Sequence, residues 1–274
     1  MAEAAAQLQK GLYQLALLPD SPDRQRQEME FHSGLAAVLI AVKGPAAPET
    51  GHAHARAREL WEQLGSPSEF LHVPFGQSLY HMFRGELDLA QRVDEDLLRL
   101  SRERNDPAGL VLGHLSSGRT LLYSGKFAAA RSHLEAGLAL YDPIAHYSLV
   151  QQVALHPAVV LQSYLGNILF YLGLPDQGLA RSNAAIVEAR RLAHPPTLAT
   201  SLVLGAMPLS LVGDILSLDE RIDELLAVAA EHGFSFWHAM GTIFRGWAKV
   251  KKGDLTGGIL LLRRGLNAYR ATDA

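Results

Sequence analysis

The sequence predicts an all-α fold, a right-handed superhelical solenoid built from antiparallel helix pairs. Three observations predict it. Glycines close apolar runs at Gly44, Gly85, Gly125, Gly173, Gly213 and Gly253, at intervals of 41, 40, 48, 40 and 40 residues. Apolar residues recur at helical spacing on both sides of each glycine, as in PAGLVLGHLSSGRTLLYSG and KFAAARSHLEAGLALYD. No stretch sustains period-two alternation with β-branched enrichment, so no strand is expected.

The repeat extends to the flanking columns. Seven residues before the last five glycines stand Ser78, Gly118, Gly166, Ala206 and Gly246, all small. Thirteen after them stand Leu98, Leu138, Ile186, Leu226 and Leu266, all large and aliphatic. Each unit therefore reads as one helix running up to the glycine and a second leaving it. The glycine takes a backbone conformation that other residues avoid, which ends the first helix and lets the chain turn back. Gly166 and Gly178 lie inside apolar helical runs, where each glycine costs about 1 kcal/mol against alanine. Close approach of the two helices of one hairpin is the expected compensation.

Taken in order, residues 1–18 predict the second helix of a truncated repeat. Hairpins follow over 27–65, 70–105, 107–142, 157–193, 196–233 and 236–273. The eight-residue excess falls in an insertion over 142–157, bounded by Asp142-Pro143 and His156-Pro157. A residue before proline avoids helical dihedrals, and a proline suits the first turn of the next helix. Extra residues in a regular array map to a loop on one face, either the binding face or a tolerated surface. Neither end carries the polar outer face that seals a solenoid, so the chain is expected to be a piece of a longer protein, or to have its ends covered by a partner or a second copy.

The small residue of the first helix, the loop glycine, the small residue five positions later and the aliphatic residue of the second helix resemble the tetratricopeptide repeat. Its unit is about 34 residues, so a forty-residue period implies longer helices. HEAT-type repeats match the length but do not require this glycine pattern. The stretches GPAAPETGHAHARARELWEQLG, YLGNILFYLGLPDQGLARSNAAIVEARRLAHP and HGFSFWHAMGTIFRGWAKVKKGD resemble the C-terminal repeat region of large bacterial signalling proteins. Those carry a class III adenylate cyclase domain and a signal-transduction ATPase module before their tetratricopeptide repeats. The resemblance implies a cytoplasmic, non-enzymatic scaffold for a protein or peptide segment, including an attached or separate ATPase or cyclase module. It does not transfer either activity, because the chain has no G-x-x-x-x-G-K-[ST] loop and nothing like a cyclase metal site.

Composition narrows the function classes. A net charge of −3 and scattered basic residues offer no continuous stripe for nucleic acid. The least polar run, 198–213, is short for a bilayer and interrupted by polar residues and a proline. The chain has no cysteine, and none of its twelve histidines forms an H-E-x-x-H pair, so no metal or cofactor is expected. His52 and His54 are two apart and point to different helix faces. The acidic clusters Asp94-Glu95-Asp96 and Asp219 to Glu224 interleave with apolar residues on second helices, which reads as a solvated outer face and not as a catalytic pair. No catalytic residue is expected. An α/α-toroid enzyme, which would need carboxylates converging at one end of a closed ring, is the least favoured alternative.

The inner wall is the remaining candidate. In tetratricopeptide solenoids the first helices line the concave surface, and equal offsets from the loop glycine select Phe75, Arg119, Tyr123, Ser163, Asn167, Tyr171, Met207 and Trp247 as a peptide or ligand groove. Asn167 falls where chaperone-binding relatives place a carboxylate-holding asparagine. Ser163 stands where their basic residue should precede it, so capture of a C-terminal carboxylate there is not expected. A small-molecule pocket at Tyr123, Asn167, Tyr171 and His146 is the alternative, and ordinary packing between repeats is the plain reading of the same stripe.

Overall fold

Proline opens helices along this chain and glycine closes them. The computed structural model describes residues 2–272. Met1, Asp273 and Ala274, which the sequence reading places in its terminal helices, lie outside the described residues. The helices are α1 (Ala2–Leu15), α2 (Pro22–Val42), α3 (Pro48–Gln63), α4 (His72–Phe83), α5 (Leu87–Glu103), α6 (Pro107–Tyr123), α7 (Phe127–Leu140), α8 (Leu149–Val153), α9 (Pro157–Tyr171), α10 (Pro175–Arg191), α11 (Pro195–Val212), α12 (Ile215–His232), α13 (Ser235–Lys251) and α14 (Leu255–Arg270). A 3₁₀ turn, Ser68–Phe70, precedes α4. No strand occurs among the described residues. Six of the helices start on proline, whose missing N–H would have no partner there in any case.

The six loop glycines of the forty-residue frame all have positive φ. Gly213 is representative: at φ 75° its N–H bonds Leu209 O and ends α11. Within hairpins the small residues permit backbone contact. A Cβ on Gly178 would lie 2.6 Å from Gly166 O, and one on Gly246 would lie 2.7 Å from Leu262 N. Helix α9 meets α10, and α13 meets α14, at a separation that no side chain fits.

Each helix packs on the next, with α7 passing over the short α8 to reach α9. The first helices α4, α6, α9, α11 and α13 also touch in sequence, which builds an inner wall. Helix α11 is long and apolar enough to cross a membrane by composition. Here it packs against α9, α10, α12 and α13, and more than half of it is buried.

The uncapped ends, for which the sequence predicts a longer chain, a partner or a second copy as cover, meet each other within the described chain. Helix α13 contacts α2, so the last hairpin returns to the beginning of the array. Ile40 and Ala41 of α2 join an apolar cluster with Phe234, Phe236, Trp237 and Tyr269. Phe83 of α4 meets Phe236 edge to face at 5.5 Å, and Gly44 packs directly on Thr272. The superhelix therefore closes after one turn.

Three smaller corrections follow. Asp94 is not on a solvated face but is 1% exposed, its Oδ2 accepting from Thr120 Oγ1 at 2.6 Å. Heptad-like interleaving cannot separate a helix's outer flank from the edge that meets the neighbouring hairpin. The second acidic cluster does face outward, but it is spent on ion pairs between hairpins, with Asp219 to Lys252, Asp223 to Arg245 and Glu224 to Arg190. The insertion is divided. Ile144 is 90% exposed, whereas Leu149 and Leu155 pack inward, and the N–H of His156 donates to Thr197 Oγ1 at 2.9 Å.

Candidate functional site

Closure of the array leaves a partly open cavity of about 440 Å³ lined by residues of α2, α4, α6, α9, α11, α13 and Tyr269 of α14. Its size falls in the range that ordinary ligand pockets occupy, ~300–1,000 Å³. The wall is mainly hydrocarbon and aromatic, and no carboxylate among the described residues lines it. That chemistry does not suit the toroid alternative, whose carboxylates would converge there. A wider cleft of about 710 Å³ follows the seam where α2 and α3 meet α13 and α14. The acid and amine lining that cleft, Glu49 and Lys43, are bonded to each other, so the seam presents no unspent acid or amine among the described residues.

One charge does line the central cavity. Arg119 on α6 is 2% exposed. Its Nη2 donates a long 3.4 Å bond to Ser78 Oγ, its Nε has no partner, and its guanidinium carbon lies 5.1 Å from the Phe75 ring centre. A buried guanidinium costs several kcal/mol in lost hydration unless its donors are matched. Asp94 is close enough to feel Arg119: burial raises its carboxyl pKa, and the arginine pulls in the opposite direction. Its bonded oxygen nevertheless turns to Thr120.

Three phenols share the cavity with Arg119. Tyr123 is 43% exposed and borders both this cavity and a side cavity of about 260 Å³. Desolvation holds its hydroxyl protonated, well above the ordinary phenol range, and the neighbouring Tyr164 adds to the shift. Burial raises Tyr164 and Tyr269 in the same direction. Each therefore stays an O–H donor at any neutral pH.

The structure distributes the eight sequence-selected residues unevenly. Phe75, Arg119, Tyr123 and Met207 line the central cavity. Asn167 and Tyr171 border the side cavity with Tyr123 and Met207. Tyr171 stacks on Phe127 at 5.0 Å. Ser163 lines neither cavity. Its Oγ donates to Val159 O at 2.9 Å and lies 3.0 Å from Ser201 Oγ, which ties α9 to α11. Trp247 packs among Ala206, Leu209 and Leu218, with the Lys251 ammonium 5.3 Å from its ring centre. His146 is buried in the insertion, its Nδ1 accepting from the Asp142 N–H at 3.0 Å, and is not in the pocket with Tyr123.

Asn167 has a specific structural task. Pro208 lies inside α11 and lacks the N–H that would bond Leu204 O. Asn167 Nδ2 donates to that carbonyl at 2.9 Å and to Ser163 O at 3.2 Å. The side chain from one hairpin supplies the donor that proline removes from the next.

Fixed offsets miss Tyr164, Phe236, Trp237, Met240 and Tyr269. The lining residues lie two to ten positions before the loop glycine on α4, nine and thirteen before it on α9, and thirteen to seventeen before it on α13. Superhelical twist moves the inward face toward the helix N-termini as the array proceeds. A column held at one offset drifts off the wall, which is why Trp247 was selected and Trp237 was not. The aromatic cluster Phe234-Phe236-Trp237 is the signal that could have revealed it.

Comparison with known proteins gives a likeness of fold. No family model matches the chain, and no curated protein matches it in sequence. Among solved structures it is similar to a Rap protein complexed with competence and sporulation factor, at a TM-score of 0.69 and 12% identity, over 99% of this chain and 73% of that one. At that identity the likeness speaks for the helical-repeat architecture alone.

Proposed function

We propose that this chain is a non-enzymatic binding module that takes an apolar guest into the centre of its closed superhelix and presents the consequence to a protein partner. The observation that carries the reading is the central cavity, with its hydrocarbon wall, single buried guanidinium and position inside the only ring the helices form among the described residues. A guest touching α2, α6 and α13 together would tighten the contact between the first and last hairpins. This gives binding a route to the outer surface, because that surface is made by the second helices of the same hairpins. The Rap likeness supports the reading by analogy, since that protein was solved with competence and sporulation factor bound.

The partner we propose is a signalling ATPase or cyclase module, attached or separate, following the resemblance of three long stretches to repeat regions of such proteins. The groove assignment is narrowed to Phe75, Arg119, Tyr123 and Met207, joined by Tyr164, Trp237 and Met240.

1-Aminoanthracene, a neutral apolar dye small enough for a cavity of about 440 Å³, tests the site. One dye per chain should bind with a blue-shifted emission. Met240→Glu, which places a carboxylate in the hydrocarbon wall, should reduce that binding by tenfold or more while the far-ultraviolet helix signal is retained. Dye binding untouched by Met240→Glu in a folded chain contradicts the cavity as the site.

A further inference from the structure

Resting on that reading of the cavity, we infer that its guest is an amphipathic monocarboxylic acid, with its carboxylate on Arg119 and an apolar body of about ten carbons along Phe75, Met240 and Trp237. Arg119 is short of acceptors rather than of countercharge: Asp94 lies within its field, but the bonded oxygen of that carboxylate is taken by Thr120. Arg119 is buried, it lines the cavity, and its Nε has no partner. Its one hydrogen bond among the described residues is the long contact with Ser78. A guanidinium presents a planar fork of donors that matches a carboxylate, and such charge-assisted pairs are roughly twice as strong as neutral ones.

The surroundings select the rest of the guest. No lysine or second arginine lines the cavity, so there is one positive charge to meet one negative charge. A phosphate dianion would leave a buried excess of charge, which is costly. Tyr123 and Tyr164 both lie within the field of Arg119, and both are protonated phenols able to donate to a bound carboxylate oxygen. Beyond this corner the polar side chains are few. A peptide backbone laid along the wall would bury amides without partners, each costing about 1–3 kcal/mol on mutational scales, whereas a hydrocarbon body has nothing to satisfy.

Volume sets the length. Taking ~30 Å³ as the share of one water in the liquid, a cavity of about 440 Å³ has room for the order of fifteen non-hydrogen atoms. A saturated acid of ten carbons has twelve, and fits with space to reach the phenols.

Isothermal titration calorimetry at pH 7.5 with decanoate, decan-1-ol and decylamine as probes tests the inference. Decanoate should bind at least tenfold more tightly than decan-1-ol, and decylamine should bind more weakly than either. Arg119→Met should lower decanoate affinity tenfold or more and leave decan-1-ol unchanged, with Arg119→Lys recovering part of the loss. If Arg119→Met does not fold, the decanoate to decan-1-ol ratio of the unaltered chain decides alone. Equal binding of the acid and the alcohol overturns the carboxylate assignment and leaves the cavity reading standing. Tighter binding of an apolar tripeptide than of decanoate overturns it in favour of a peptide guest. Failure of every probe, 1-aminoanthracene included, overturns both.

Discussion

Replacing Asn167 by alanine should destabilise the fold through a carbonyl on another helix. The side chain donates to Leu204 O at 2.9 Å because Pro208 cannot. Truncation leaves that buried carbonyl without a donor, which costs about 1–3 kcal/mol, and also removes the 3.2 Å bond to Ser163 O. Asn167 Oδ1 is itself buried without a partner, so its removal returns part of that cost. The expected net loss is about 2 kcal/mol. Restoring the backbone donor with Pro208→Ala should change the outcome, since the new amide bonds Leu204 O directly and Asn167→Ala then costs only about 1 kcal/mol. Urea unfolding of the four proteins gives the coupling energy as a double-mutant cycle. A coupling near 1 kcal/mol supports the account. Additivity within ~0.5 kcal/mol, the scatter of independent sites, refutes it and returns Asn167 to a role in the groove.

Gly178→Ala should destabilise by about 1–2 kcal/mol, because the new Cβ meets Gly166 O at 2.6 Å and overpacking outweighs the ~1 kcal/mol gain in helix propensity. Gly34→Ala, whose Cβ would meet Leu8 Cδ2 at an ordinary 3.7 Å, should instead stabilise by up to about 1 kcal/mol, so the same thermal melt with both variants separates close packing from propensity. Acid should weaken the fold through His54 and His72, both held neutral by burial with pKa values lowered to about 4. The unfolded imidazoles bind protons below their ordinary value of ~6.5 while the folded ones do not, so this contribution is complete above pH ~6.5 and is lost as pH falls toward 4. About 3 kcal/mol is at stake for each, and urea midpoints at pH 7.5, 6 and 5 should fall in that order. A flat series contradicts the burial of these rings.

The hairpin architecture was legible because one glycine per forty residues and small residues at fixed distances from it are local requirements of a turn and of a tight helix pair. Closure of the ring was not. It depends on how far each hairpin rotates on the last, a sum of small packing angles carried by residues such as Leu115 and Val203 that read only as apolar. The same accumulated twist displaced the inner wall from Trp247 to Trp237. Arg119 is legible because its offset from Gly125 falls on the inward column. Its burial and its shortage of acceptors needed the structure, as did the burial of Asp94 in a segment whose sequence reads as solvated. Asn167 reads from its offset as a groove residue, and its bond to Leu204 O becomes visible only when Pro208 of the next hairpin is placed beside it.

A crystal structure of the chain grown with decanoate measures the central claim most directly. The account predicts α13 resting on α2, the hydrocarbon enclosed between Phe75 and Trp237, and a carboxylate within hydrogen-bond distance of the Arg119 guanidinium. An open superhelix with α13 parted from α2, or decanoate lodged only on the outer face, would contradict it.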